Sequence, residues 1–212
     1  MNPKKTYYER QASTMIKNLK KRNMEGFYCA TAAEAREKAL SLIASGETVS
    51  FGGSMTLEEC GILEALRGRQ DITLYDRATA KNPAEMDAIY RQAFSVDTFL
   101  MSTNAITLDG ELINIDGRGN RVAALIYGPE QVIIIAGMNK VATDEAAGLA
   151  RARNMAAPPN CVRLNKKTPC AVTGRCGDCY GEESICSQIV VTRRSSQKNR
   201  IKVILVGEEL GY

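Results

Sequence analysis

The chain has 212 residues, 44% of them hydrophobic, and carries 28 basic against 24 acidic residues for a formal charge of +4. That length suits one α/β domain with at most a small appendage, and so mild a charge gives no ground for nucleic-acid binding. Histidine and tryptophan are both absent; the missing histidine excludes histidine triads, histidine general bases and histidine metal ligands, and leaves acid–base chemistry to Asp, Glu, Lys, Cys or Tyr.

The opening residues, MNPKKTYYERQ, are polar, so no secretory signal is expected. No apolar run approaches the roughly 20 residues of a spanning helix, so no membrane association is expected either, and a soluble cytoplasmic protein is the reading. Tyr7 to Met24 has Tyr8, Met15, Ile16 and Leu19 near helical spacing with a basic opposite face, which predicts a packed helix ended by Gly26. Phe27 to Ala30 reads as a short strand. Thr31-Ala-Ala-Glu34 is a capping box, opening a helix to about Ser45, with Gly46 as its stop.

Thr48 to Phe51 is a β-branched and aromatic strand that ends in Gly52-Gly53-Ser54, and Thr56-Leu-Glu-Glu59 reads as a second capping box starting a short helix. Strand, glycines and helix start in that order suit an anion, because free amide N–H groups sit at the positive end of a helix dipole. Gly-Gly-Ser also makes a plain tight turn, and no Gly-Lys-Thr/Ser follows, so this is not a Walker loop. Ile72 to Tyr75 is the next strand. Asn82-Pro83-Ala-Glu85 opens another helix, with Asn as cap and Pro in the first turn, and Thr98 to Met101 is again a strand.

Ser102 to Lys140 contains two or three strands, the Gly-rich loop Asp116 to Arg121 and the polar turn Gly137 to Lys140. Thr143 and Asp144 begin a helix that Pro158-Pro159 is expected to end. Alternating strands and helices predict an α/β fold with a mostly parallel sheet covered by helices on both faces, and ligands at the carboxyl ends of its strands. Gly52 to Thr56, Ser102 to Asn104, Asp116 to Arg121 and Gly137 to Lys140 would then meet there. In this cleft Gly52, Gly53, Ser54 and Thr56 would cradle a phosphate or carboxylate, with Arg121 and Lys140 supplying charge. Thr103 and the amides of Asn104, Asn114, Asn120 and Asn139 would add polar contacts. Asp116, beside those cations, is the candidate acid–base. Each Asn and Asp could equally be a turn residue bonded to its own backbone.

The tail differs in kind. Residues 1–160 read as the α/β core, and 161–212 as a Cys-rich loop with two strands, Ser187 to Arg193 and Ile201 to Val206, packed on the same domain. The two strands either pair as a C-terminal hairpin or return to the sheet. Four of the seven cysteines are spaced Cys170-x5-Cys176-x2-Cys179-x6-Cys186. A CxxC knuckle flanked by further cysteines, without histidine, fits zinc or an iron–sulfur cluster, and the spacing leaves both open. A non-catalytic redox or assembly subunit built on this four-cysteine metal site is the alternative to a small-anion enzyme. Cys29, Cys60 and Cys161 read as separate residues, the first two as small core hydrophobes. Homo-oligomerisation is left open.

Gly52-Gly-Ser-Met-Thr-Leu-Glu-Glu-Cys-Gly61, Ser102-Thr-Asn-Ala-Ile-Thr107, Asp109-Gly-Glu-Leu-Ile-Asn114, Asp116-Gly-Arg-Gly-Asn-Arg121 and Gly137-Met-Asn-Lys140 together resemble the LUD-domain (lactate-utilisation) family. The match is closest to its short single-domain branch with a Cys-rich tail. The resemblance implies a fold like that of the ribose-5-phosphate isomerase, glucosamine-6-phosphate deaminase and CoA-transferase superfamily. It also implies a place in oxidising L-lactate to pyruvate beside an iron–sulfur redox partner protein. A fainter similarity to sugar-phosphate isomerases runs through Thr103-Asn104-Ala105-Ile106, Asp109-Gly110 and Asn114-Ile-Asp-Gly117. Asn104 stands where those enzymes carry a carboxylate, and an amide cannot serve as the base.

Overall fold

The computed structural model describes residues 2–212. Helix α1 (Pro3–Lys21) begins earlier than its apolar pattern suggests, because Asn2 accepts a hydrogen bond from the Lys4 amide and Pro3 takes the first helical position. Its buried residues Ala12, Met15 and Leu19 form the expected stripe. The turn after it is made at Asn23, whose φ is 58°. Gly26 does not stop the helix; it lies inside β1 (Glu25–Cys29), where an added Cβ would come within 3.0 Å of the Ile16 side chain. That glycine lets α1 lie close on the sheet.

The capping box at Thr31 forms in both directions: Thr31 Oγ1 accepts from the Glu34 amide at 3.2 Å, and Glu34 Oε2 accepts from the Ala30 amide at 2.8 Å. It starts α2 (Ala32–Ser41). Strand β2 (Thr48–Phe51) leads into two short helices, α3 (Met55–Glu59) and α4 (Ile62–Gly68), then β3 (Thr73–Tyr75), a 3₁₀ turn Arg77–Thr79, α5 (Pro83–Gln92) and β4 (Thr98–Met101). Next come β5 (Ala105–Thr107), β6 (Leu112–Asp116), α6 (Asn120–Ile126), β7 (Gln131–Gly137), a 3₁₀ turn Met138–Lys140, β8 (Val141–Ala142) and α7 (Glu145–Arg151).

Pro158 and Pro159 do not terminate a helix. The chain runs from α7 through a wide π turn, Ala152–Ala156, into α8 (Ala157–Arg163). The prolines fall in the first turn of α8, where their missing N–H groups cost nothing. Helix α9 (Pro169–Thr173) and strands β9 (Gln188–Thr192) and β10 (Ile201–Val206) complete the order.

Six strands form the main sheet in the order β1-β10-β7-β4-β2-β3, every neighbour parallel. Neighbouring residues of β7 and β10 serve opposite faces, as the strand period requires. Val132 and Ile134 of β7 and Val203 and Leu205 of β10 pack on α1. Ile133 and Ile135, with Ile204 and Val206, pack on α2, α3 and α4 through Ala35, Ala39, Leu57 and Leu66. The fold is therefore the expected α/β sandwich with helices on both faces. A smaller sheet, in the order β8-β5-β6-β9, mixes a parallel β5–β8 pair with antiparallel β5–β6 and β6–β9 pairs. The C-terminal hairpin does not form: β9 joins β6 in the small sheet, while β10 enters the main sheet between β1 and β7. The apolar alternation of Ile201 to Val206 is satisfied only with a buried face on each side, which a hairpin at the molecular edge would not provide.

Candidate functional site

Parallel strands β2, β4 and β7 are neighbours and end at the same edge of the sheet, so the loops that follow them converge. With the end of β6 and the segment 160–187 they enclose a cleft of about 860 Å³. Gly53, Ser54, Thr56, Thr103, Asn104, Asp116, Asn120, Arg121 and Lys140 face this cleft. Six basic side chains (Arg77, Arg118, Arg121, Lys140, Arg163 and Lys166) and three acidic ones (Asp116, Glu182 and Glu183) line it, so its potential is positive. Gly52, Asn114 and Asn139 lie outside its wall. The Gly52 amide donates to Leu100 O at 2.9 Å, continuing the sheet.

The Gly52–Thr56 loop is built differently from the sequence expectation. Ser54, not Thr56, is the N-cap: its Oγ accepts from the Leu57 amide at 3.3 Å. Thr56 is fully buried inside α3 and donates to Leu210 O at 3.3 Å. Helix α3 has only five residues, too short to carry a sizeable dipole. The cation at this loop is Arg77, whose guanidinium lies against Gly53; a Cβ there would meet its Nη1 at 2.9 Å. Nothing in the Asp76-Arg77-Ala78 sequence marks Arg77, because the contact is made only by folding β3 beside β2.

Arg121, on the first turn of α6, is not a free anion clamp. Its Nη1 donates to Ser102 O at 3.1 Å and Asn114 Oδ1 at 2.6 Å. Its Nη2 donates to Ile115 O at 2.8 Å and Asn104 Oδ1 at 3.3 Å, and its Nε lies 3.2 Å from Asp116 Oδ2. A guanidinium has five N–H donors, and these contacts use them all. Arg121 thus ties together the ends of β4 and β6. Asp116 is held from both sides: Oδ2 by Arg121 and Oδ1 by the Gly119 amide at 2.9 Å. Gly119 has φ 83° and caps α6, a conformation glycine adopts without strain. The turn role that sequence leaves open for Asp116 is therefore present together with the ion pair.

The amides divide in the same way. Asn104 Oδ1 accepts from the Ile115 amide at 2.8 Å. Asn114 is buried, and its Nδ2 has no partner among the described residues. Asn139 Oδ1 accepts from the Leu210 amide at 3.1 Å, holding the segment after β10 across the cleft edge. Thr103 Oγ1 bonds to Ala105 O at 2.8 Å.

Lys140 has the most room for chemistry. It closes the turn after β7 and is 3% exposed. Its Nζ donates to Ser102 Oγ at 3.2 Å, leaving further donor capacity. Burial pushes its pKa down to about 7, reinforced by the guanidinium groups of Arg151 and Arg121 and opposed by Glu59 and Cys60.

Cys29 and Cys60 are buried in the core with α2 and α4. Cys161 is not separate from the tail cysteines. It is 1% exposed on α8, beside Thr168 and Cys170, and burial raises its thiol pKa. Burial pushes the Cys186 thiol to about 11, with smaller effects from Cys161, Cys176, Cys170 and Cys179. Five thiols thus share one neighbourhood behind the 160–187 wall. Among the described residues no three Cys, Asp or Glu side chains are placed to hold one metal ion. The fifth cysteine was invisible in the spacing because helix α8 and the turn after it bring it back.

The profile of the LUD domain matches residues 12–206, and the chain belongs to that family, whose association with lactate utilisation gives it a role of that general type. A DUF162 family protein from Deinococcus radiodurans is similar over 95% of this chain and 98% of its own, at 13% identity and a TM-score of 0.51, which is a likeness of fold. Weaker similarity covers about half of the chain: eIF2B beta from Chaetomium thermophilum (16% identity, 52% of this chain and 42% of that one, TM-score 0.36) and ribose 5-phosphate isomerase from Plasmodium falciparum (18%, 53% and 52%, TM-score 0.33). No curated protein sequence matches the chain. No helix among the described residues is long and apolar enough to cross a membrane.

Proposed function

We propose that this LUD-domain protein binds a small anionic metabolite, a carboxylate or phosphate, in the cleft at the carboxyl ends of β2, β4 and β7. The reading places it in lactate metabolism, on the path from L-lactate to pyruvate. The observation that carries it is Lys140, a buried cation whose one side-chain partner among the described residues is the Ser102 hydroxyl, in a cleft where basic groups outnumber acidic ones. A buried cation without a carboxylate is costly and gains most from an incoming anion. Arg77 and Lys140 make the contacts in this reading. Arg121 positions Asn104, Asn114 and Asp116, and Asp116 is the acid–base candidate. Thermal unfolding with lactate, pyruvate, sugar phosphates and CoA esters tests the proposal, because binding stabilises by mass action. A shift with one class that Lys140→Met removes is the expected result; no shift with any of them defeats it.

A second reading is favoured by the grouping of Cys161 with Cys170, Cys176, Cys179 and Cys186. In it the chain is a redox or assembly subunit whose tail holds zinc or an iron–sulfur cluster and docks an iron–sulfur partner protein. Thiolates without histidine suit either metal. Metal analysis and an absorbance spectrum of protein purified without oxygen separate the cases. A visible charge-transfer band supports a cluster, and one zinc per colourless chain supports a structural site. Metal-free protein removes the reading.

A further inference from the structure

Lys140 is placed for more than holding charge. Its amine ends at the cleft wall, in contact with one hydroxyl, and no carboxylate pairs with it among the described residues. The groups that face it are Arg121 from α6, Arg151 from α7, and Glu59 and Cys60 from the end of α3. Two of these are guanidinium groups. Arg151 is itself fixed, donating to Asn139 O at 2.9 Å and to Asn104 O. Glu59 is turned to the Gly211 amide at 2.7 Å. Gly211 lies beside the amine: a Cβ there would stand 3.4 Å from Nζ and 2.6 Å from Thr56 Oγ1. A lysine desolvated in this way and set beside fixed cations loses its proton near neutrality, which makes the amine a nucleophile.

We propose that Lys140 is a nucleophilic amine that condenses with the carbonyl carbon of a 2-oxo acid to form a Schiff base in the cleft. The proposal rests on the small-anion reading, from which it takes the carboxylate, held by Arg77 beside Gly53. It adds a covalent step to that reading. The Nζ lone pair attacks C2, and the carbonyl π electrons move to oxygen, which takes a proton. That proton comes from the Ser102 hydroxyl, which takes one from the nitrogen in exchange, being already in contact with it. The carbinolamine hydroxyl then takes a proton from solvent and leaves as water while the nitrogen lone pair forms the C=N bond. One neutral amine, one 2-oxo acid and one proton from solvent become one protonated imine and one water, with no oxidant or reductant.

The test is reductive trapping. The full chain is incubated with pyruvate and borohydride, and the modified residue is located by peptide mass mapping. The expected result is one carboxyethyl group per chain on Lys140, with incorporation rising as pH passes through about 7. Lys140→Arg and Lys140→Met, checked for folding by circular dichroism, should lose at least tenfold of the label. Lactate, which has a hydroxyl in place of the C2 ketone, is run in parallel as a thermal-shift ligand. If lactate or pyruvate stabilises the protein but no label reaches Lys140, the covalent step is overturned while the anion site stands. If neither stabilises and no label forms, the covalent step is overturned, and the small-anion reading falls with it only if sugar phosphates and CoA esters also give no shift. Label spread over surface lysines and unchanged in the variants also overturns it. Should neither variant fold, the location of the label on the native chain decides.

Discussion

Arg121 Nε and Asp116 Oδ2 stand 3.2 Å apart, with side-chain exposures of 13% and 8%. The pair closes β6 onto α6, and the remaining guanidinium donors are taken by Ser102, Asn104, Asn114 and Ile115. Removing one partner of a buried pair leaves the other charge uncompensated, at about 3–5 kcal/mol. Arg121→Ala should therefore destabilise by roughly 3 kcal/mol in urea unfolding. Asp116→Asn, which keeps a hydrogen-bonding side chain for Gly119, should cost less. Equal and small losses in both would mean that the arginine does not organise the site.

Arg77 is expected to behave in the opposite way. It is half-buried beside Gly53 at the cleft wall and lies outside the apolar cores. Arg77→Ala should change unfolding stability by no more than about 0.5 kcal/mol yet reduce the thermal shift given by a bound carboxylate or phosphate. An undiminished shift would take Arg77 out of the proposed site.

Lys140 makes a pH prediction with a definite sign. Its pKa is about 7 in the fold against an ordinary 10.5. Below about pH 7 both states carry the proton, and the cost of burying the charge is felt in full. Between about 7 and 10.5 the unfolded chain keeps a proton that the folded chain has lost, so stability rises with pH, by at most about 1.4 kcal/mol per unit. Lys140→Met lacks this dependence. Its stability advantage over the native chain should be greatest below pH 7 and shrink toward pH 10. A gap that stays constant in ligand-free buffer would show that the amine is not desolvated.

Gly137, at the end of β7, lies against the chain that follows β10. A Cβ there would stand 2.7 Å from Glu208 O and 2.8 Å from Leu210 N, and would also strike the Asn139 side chain. The first two are backbone atoms and cannot rotate away. Gly137→Ala should cost about 1–3 kcal/mol and make the 207–211 segment more sensitive to limited proteolysis. A variant as resistant as the native chain would mean that this segment adapts freely.

Much of the main sheet was legible in residue order. β2, β4 and β7 announce themselves by short apolar runs followed by glycine or small polar residues, and their convergence follows from parallel packing. The roles within the cleft were less legible. The sequence marks Arg121 as a cation beside a glycine loop, but not that five acceptors from β4, β6 and their loops saturate it. Arg77 and Cys161 are brought to their neighbours by contacts that no local pattern encodes. The capping signal at Thr56 was overridden because its hydroxyl is drawn inward to Leu210 O, leaving the cap to Ser54. For the tail, a hairpin and a return to the sheet have the same local pattern, and only the partners Val132 to Gly137 and Glu25 to Cys29 decide between them.

The position of β10 also constrains how the molecule is made. Strands β1 and β7 have no contact through a shared ladder until residues 201–206 are laid between them. Until residues 201–206 are available, β1 and the ladder β7-β4-β2-β3 have no strand to join them. Such long-range pairing is slow, and open edges invite wrong partners. The polypeptide should therefore remain protease-sensitive on the ribosome until β10 has cleared the exit tunnel, and then become resistant in one step. A stalled nascent chain ending at residue 200 that already resisted digestion would show that the rest of the sheet forms without β10.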